Sequence, residues 1–242
     1  CGIVKIPRLP IDDDAKVDQV VYLNLWSSIG TQLPKRGGKN TDLATWSPPA
    51  ELEGALKSLY RSYESAFKHY EKNLQQFGEP PPVMIVVCPN TLVSRLVFEW
   101  IAGRPVEVEE GVSHFRPGGL KLLSNCDENN VTLSRPHSIL IDSAQLESGE
   151  VLSRDFKEAA ELEIARFREE YRIRKPGADV DSLTDSDLLR EVMNTVGKRG
   201  QLGEHIRCVV SVSMLTEGWD ANNVSHILGI RAFNSQLLCE QV

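Results

Sequence analysis

Several things are missing from this sequence of 242 residues, and each absence closes a class of function. No apolar run approaches the roughly 18–20 residues that cross a bilayer, so no membrane helix is expected. The opening CGIVKIPRLP lacks the basic start, apolar middle and small-residue cleavage site of a secretory signal. Cysteine is sparse and odd in number: Cys1, Cys88, Cys126, Cys208 and Cys239 lie far apart, with no C-x-x-C pair. That argues against a zinc ribbon and a disulfide framework and fits a reducing, cytoplasmic setting. The five histidines, His69, His114, His137, His205 and His226, lack the H-x-x-x-H spacing of a helical metal site. His226, just before an apolar run, reads as structural. No serine sits in a Gly-x-Ser-x-Gly turn, which leaves a hydrolase triad unsupported. There is no internal repeat and no low-complexity segment.

A phosphate loop is absent too. Gly37-Gly38-Lys39-Asn40 lacks a first glycine at the required offset and the final hydroxyl of Gly-x-x-x-x-Gly-Lys-Ser/Thr. Asp12-Asp13-Asp14 has no buried strand before it and so is not a metal-holding acidic motif. The net charge of −7 argues against a stand-alone nucleic-acid binder with a broad basic surface. It leaves room for a domain that supplies a few phosphate contacts. Local basic clusters exist, Lys35-Arg36 with Lys39 and Arg166, Arg168, Arg172, Arg174 and Lys175, and a solvated face accounts for each. Position 1 is not methionine and the sequence stops inside an apolar-periodic segment, so a fragment of a longer polypeptide is expected.

What is present reads as an α/β protein. Residues 1–82 form a lead-in: Val20, Val21, Leu23 and Leu25 suggest a strand, and a long helix follows from Ser47-Pro48, with Ser47 as its cap. Leu52, Leu56, Leu59, Tyr63, Phe67, Tyr70, Leu74 and Phe77 recur every three or four residues, one apolar stripe of a packing helix over 48–77. The main domain, 83–242, opens on Val83-Met84-Ile85-Val86-Val87-Cys88, a run suited to a strand buried on both faces, where Cys88 is a small hydrophobe. Leu92–Ile101 then reads as a helix with Leu92, Leu96 and Trp100 on one face, 104–136 as short strands and loops, and Ile139-Leu140-Ile141 as a second buried strand. A charged helix spans about Ser153 to Arg172, and Asp185 or Ser186 caps another through Val196. Strands at Ile206–Val212, with Cys208 a second small hydrophobe, and at His226–Ile230 complete a doubly wound, mainly parallel sheet with flanking helices.

The segment CVVSVSMLTEGWDANNVSHILGIRAFNSQLLCEQV carries the chemistry. A buried strand stops at Thr216-Glu217-Gly218-Trp219-Asp220. The glycine admits close backbone approach to a ligand, and the aspartate accepts hydrogen bonds from hydroxyls such as a ribose edge. An ordinary turn capped by Asp220 has the same pattern. VSMLTEGWDANNVSHIL followed by QLLCEQV resembles motif V and the opening of motif VI of superfamily 2 helicases. The variant it is most similar to is that of the helicase subunit of type III restriction enzymes and related DEAD/DEAH-type bacterial helicases. The resemblance implies a second RecA-like domain. Glu217, Gly218, Asp220 and Gln241 would then meet ATP across an interdomain cleft, and Ser213 and Thr216 would face the nucleic-acid backbone. Of motif VI, Gln-x-x-Gly-Arg-x-x-Arg, only Gln241 is present.

VMIVVCPNTLVSRLVFEWI is similar to motif IV, whose turn, here Asn90 and Thr91, touches the nucleic-acid backbone. ILIDSAQ is similar to the next strand, which adds Ser143 at its carboxyl end. Both also fit generic strand–turn–helix units. Lys198 and Arg199 either touch phosphate or sit in an exposed loop. The resemblance further implies ATP and Mg2+ in the full-length enzyme and none bound to this fragment. The partners it implies are an N-terminal RecA-like domain of the same polypeptide, DNA, and a modification methylase subunit. No catalytic residue and no metal ligand is expected in the fragment, which would be inactive alone. Two other readings stay open: a free-standing enzyme binding a nucleotide or nucleotide sugar at Gly218-Trp219-Asp220, and a partner-docking domain using the 48–77 helix.

Overall fold

The computed structural model describes residues 25–35, 45–109, 112–142, 146, 152–212 and 223–231. The order is α1 (Leu25–Ile29), α2 (Ala50–Asn73), β1 (Val83–Val87), α3 (Thr91–Ala102), β2 (Gly103–Glu109), β3 (Val112–Pro117), β4 (Ser138–Ile141), α4 (Arg154–Arg174), α5 (Asp185–Asn194), β5 (Cys208–Ser211) and β6 (Val224–Gly229). Four strands form one parallel sheet in the order β4-β5-β1-β6. This is the α/β architecture that the apolar runs imply. Every residue of β1, β4 and β5 is buried, as strands covered on both faces require, whereas β6 is only partly covered. The strands and helices pack into one hydrophobic core that runs from Leu25 to Ile230. The expected boundary at 82/83 therefore does not separate two cores.

β2 and β3 make an antiparallel hairpin within the region read as short strands and loops. The hairpin starts straight from the end of α3. Gly103, at φ 90°, makes that corner, and a β-carbon there would lie 2.5 Å from the Arg116 carbonyl. α3 is buried over a wide arc (Val93, Leu96, Val97, Phe98 and Ile101), because β4, β5, β2 and α4 all pack on it. Leu92 and Trp100 remain half-exposed, so the Leu92-Leu96-Trp100 stripe is not the helix's inner face. Side-chain caps begin three helices: Asn90 accepts from the Val93 N–H at 2.9 Å, Ser153 from Phe156 at 3.4 Å and Thr184 from Asp187 at 3.1 Å. Thr184, not Asp185 or Ser186, starts α5, because its hydroxyl also donates to the Asp187 carboxylate at 2.6 Å.

α2 is the long helix, shorter than the stripe suggests. It begins at Ala50 after Pro49, and Ser47 does not cap it. It ends at Asn73; Gly78 then turns left-handed at φ 79°, and Pro80-Pro81-Pro82 carry the chain to β1. Leu74 and Phe77 fall past the end and are exposed. The rest of the stripe is core, except that Leu59 is only partly buried against it. Tyr63 is fully buried and its hydroxyl donates to the Pro82 carbonyl at 3.0 Å. Phe67 lies under the Arg207 guanidinium at 4.4 Å, and the His226 ring meets Tyr63 edge-on at 5.6 Å. Pro82 and Arg207 immediately precede β1 and β5, so α2 closes the amino edge of the sheet. Burial of Tyr63 and Phe67 stabilises by roughly 2–3 kcal/mol each. Leu25 belongs to the short helix α1, which packs on α2, and not to a strand; Val20, Val21 and Leu23 lie outside the described residues.

Candidate functional site at the carboxyl edge of the sheet

Helix α2 covers the amino edge, and the opposite edge is where a parallel sheet presents its turns. Pairing persists one step past the strands: Val212 donates to Ile141 at 3.0 Å, Cys88 to Ser211 at 2.7 Å and Ile230 to Val87 at 2.8 Å. Asp142, Val212, Cys88 and Ile230 thus form the last row. From β1 the chain proceeds to β4 on one side, and from β5 it proceeds to β6 on the other. Adjacent strands whose connections diverge define a switch point, and ligands of open α/β sheets bind in the crevice beyond the carboxyl ends there. In this sheet that crevice lies at the ends of β1 and β5.

Of the sequence-predicted residues, Asn90 and Thr91 stand at this edge, directly after β1. Both arms of the Asn90 amide are engaged within the protein. Its oxygen caps α3, and its nitrogen donates to the Pro34 carbonyl at 3.3 Å. The side chain therefore shapes the turn instead of reaching outward. Thr91 is the half-buried first residue of α3. Ser143, Ser213, Thr216, Glu217, Gly218, Asp220 and Gln241 lie outside the described residues; described are the strands that bracket 213–222. Those strands, β5 and β6, pair with β1 on either side.

Two cations not singled out as site residues come to the same edge. The Asn90–Pro34 bond brings Lys35 to the β1 turn, and Arg231 follows Ile230 at the end of β6. Sequence offers a hint of the first only in the basic run after Pro34. The larger basic cluster serves the fold instead. Arg168 donates to the Val180 and Leu183 carbonyls at 2.9 Å and pairs with Asp185 at 2.7 Å. Arg174 pairs with buried Glu170 at 2.6 Å, Arg172 with Glu169 and Asp181 at 3.2 Å, and Lys175 with Glu191 at 3.0 Å. Lys198 and Arg199 are exposed in a loop whose Gly197 lies against Asn223 and Pro80, at the amino edge. They are remote from the turns after β1 and β5.

The strongly perturbed groups belong to the interior. Glu163 is buried, and burial raises its carboxyl to about 7, against the opposing hydrogen bond from Asn125. That Asn125 amide donates to Glu163 at 2.9 Å and to the Ser138 carbonyl at 3.0 Å, while its oxygen accepts the His137 and Ser138 N–H groups at 2.9 Å. The arrangement fastens the start of β4 to α4. Burial, with the charges of Arg207 and His205, lowers His137 to about 3. Cys208 is pushed up to about 12 by burial and Cys88 is raised by the same cause, so both are inert packing groups. His226 is lowered by burial and hydrogen-bonds Ser62 at 3.0 Å, a structural role. Of these groups Cys88 alone stands at the carboxyl edge, in the last row of the sheet, where it is fully buried.

An open groove of about 690 Å³ lies on the other side, lined by Ser62, His69, Tyr70, Glu79, Pro82 and Asn223. Its Ser62 hydroxyl meets the His226 ring at 3.0 Å, but the other ring nitrogen faces the Ser225 hydroxyl at 2.8 Å and not a carboxylate, and the groove lies at the wrong edge for the switch-point crevice. Among the described residues no group of three or more His, Cys, Asp or Glu side chains could hold a metal ion, and no helix is long and apolar enough to cross a membrane. No protein-family model matches the chain, and neither a curated protein nor a solved structure matches it.

Proposed function

We propose that this chain is the second RecA-like half of an ATP-dependent DNA helicase or translocase, similar to the helicase subunit of type III restriction enzymes. In this reading Glu217, Gly218, Asp220 and Gln241 close on ATP·Mg2+ held by a phosphate-loop domain of the same polypeptide. Ser213, Thr216, Ser143 and the Asn90-Thr91 turn follow the DNA backbone. Such grip is phosphate-directed and carries no sequence preference. The observation that supports it most is topological: the segment resembling motif V begins where β5 ends, next to β1, at the divergence of two connections in a parallel sheet.

The burial of Leu52, Leu56, Tyr63 and Phe67 speaks against a docking role for the 48–77 helix, since that stripe is already covered by the sheet and α1. The rival that remains is a free-standing nucleotide or nucleotide-sugar enzyme using Gly218-Trp219-Asp220. Equilibrium titration separates the two. The helicase reading expects the chain to bind unrelated DNA duplexes equally, with steep salt dependence, and to bind ATP or a uridine diphosphate sugar only very weakly. Tight nucleotide binding without DNA binding overturns it.

A further inference from the structure

We propose that Lys35 and Arg231 form a phosphate clamp at the β1 turn, gripping the nucleic-acid backbone. The inference rests on the helicase reading and adds to it a contact from the lead-in. β1 carries the Asn90-Thr91 turn at its carboxyl end. The Asn90 amide nitrogen donates to the Pro34 carbonyl at 3.3 Å, which brings the next residue, Lys35, to that turn. β6 also lies in register with β1, Val87 facing Gly229, and the Ile230 N–H donates to the Val87 carbonyl at 2.8 Å. Arg231 is the next residue, so it emerges level with Pro89. Two cations from segments almost two hundred positions apart in sequence are thereby brought to one turn.

They differ from the cations of α4 and α5 in having no internal partner among the described residues, a property they share with Lys72, Arg116, Lys198 and Arg199 elsewhere on the surface. Arg168, Arg172, Arg174, Lys175 and Arg190 are each neutralised by a carboxylate of the chain. Lys35 is exposed and Arg231 half-exposed, and neither has an ion pair among the described residues. The described carboxylate at this edge, Asp142, is buried at the end of β4, with β5 between it and β1. A pair of cations with no carboxylate partner among the described residues, in a protein of net charge −7, suits a ligand with repeating negative charge. Lysine supplies a point charge, and arginine a fork that matches two phosphate oxygens. Contacts of either kind to phosphate carry no sequence information, in keeping with backbone tracking.

The test is fluorescence anisotropy of a labelled DNA duplex with the full 242-residue chain, from about 50 to about 200 mM KCl. Losing two phosphate contacts makes the slope of log K against log salt shallower by about 2, and weakens binding about tenfold or more at the low-salt end. That is the result expected of K35A/R231A, while K35R/R231K retains the steep slope. K198A/R199A, at the amino edge, is expected to leave the slope unchanged. Thermal melting followed by circular dichroism verifies that each variant keeps its fold. If wild-type binds DNA but K35A/R231A keeps the wild-type slope, the clamp is refuted and the helicase reading survives. If wild-type binds no DNA, both fall. Binding of ATP that depends on Lys35 and Arg231, in place of DNA binding, overturns both in favour of a nucleotide site.

Discussion

Replacing Glu163 by glutamine isolates a pH dependence that wild-type protein conceals. A glutamate carboxyl titrates near 4.5 when the chain is unfolded, whereas burial among α4, β4 and the 124–126 segment raises Glu163 to about 7. The folded state therefore holds this proton more tightly, so stability falls as pH climbs from about 4.5 and levels off above about 7. His137 has the opposite sign: lowered to about 3 from 6.5, it destabilises the fold progressively as pH drops below 6.5. Between these values the two slopes oppose, and the wild-type curve is flattened. At about 1.4 kcal/mol per pH unit, the Glu163 contribution between pH 5 and pH 8 amounts to roughly 2–3 kcal/mol.

Urea unfolding of wild-type and Glu163→Gln at pH 5 and pH 8 measures it. The glutamine leaves one buried N–H without a match, at a cost of roughly 1–3 kcal/mol that does not vary with pH. That cost cancels in the difference between the two pH values, as does the histidine contribution. The stability of Glu163→Gln relative to wild-type is expected to rise by roughly 2–3 kcal/mol from pH 5 to pH 8. A relative stability that does not change with pH refutes the reasoning, because it means that Glu163 titrates normally in the fold.

Three further outcomes follow from the packing. Phe67→Ala removes the ring between α2 and Arg207 and is expected to lower unfolding stability by about 3–5 kcal/mol, read from the urea midpoint. Gly103→Ala forces a β-carbon into the Arg116 carbonyl at φ 90° and is expected to lower the melting temperature by an amount equivalent to more than about 2 kcal/mol. Thiol labelling of the native chain at neutral pH, mapped by peptide mass spectrometry, is expected to spare Cys88, Cys126 and Cys208, all buried, and to reach them after unfolding.

The sheet was legible in the sequence because strands buried on both faces must be continuously apolar, and Val83–Cys88 and Ile139–Ile141 have no other simple use. Patterns local in sequence went less far in assigning partners. The 48–77 stripe identified a packing helix but not its seat, which depends on Pro82, Arg207 and His226, the last two far along the chain. Asn90 was ambiguous for a sharper reason: an asparagine between a strand and a helix serves equally as a cap and as a ligand contact. Only its second bond, to Pro34, shows that the side chain faces inward. The Arg166–Lys175 cluster looked solvated because its partners Asp181, Asp185, Glu191 and Glu204 come from other segments. Arg231 carries no local signature at all and becomes visible only once β6 is known to lie beside β1.

The central claim is that the carboxyl edge at β1 and β5 is the face that meets DNA. Photocrosslinking of the full chain to a duplex containing 4-thiothymidine, followed by peptide mapping, tests it most directly. Crosslinks are expected in peptides containing Lys35, Pro89–Leu92, Ser213–Asp220 and Arg231. Crosslinks concentrated instead on α2, Glu79–Pro82 and Lys198-Arg199, at the amino edge, would contradict it.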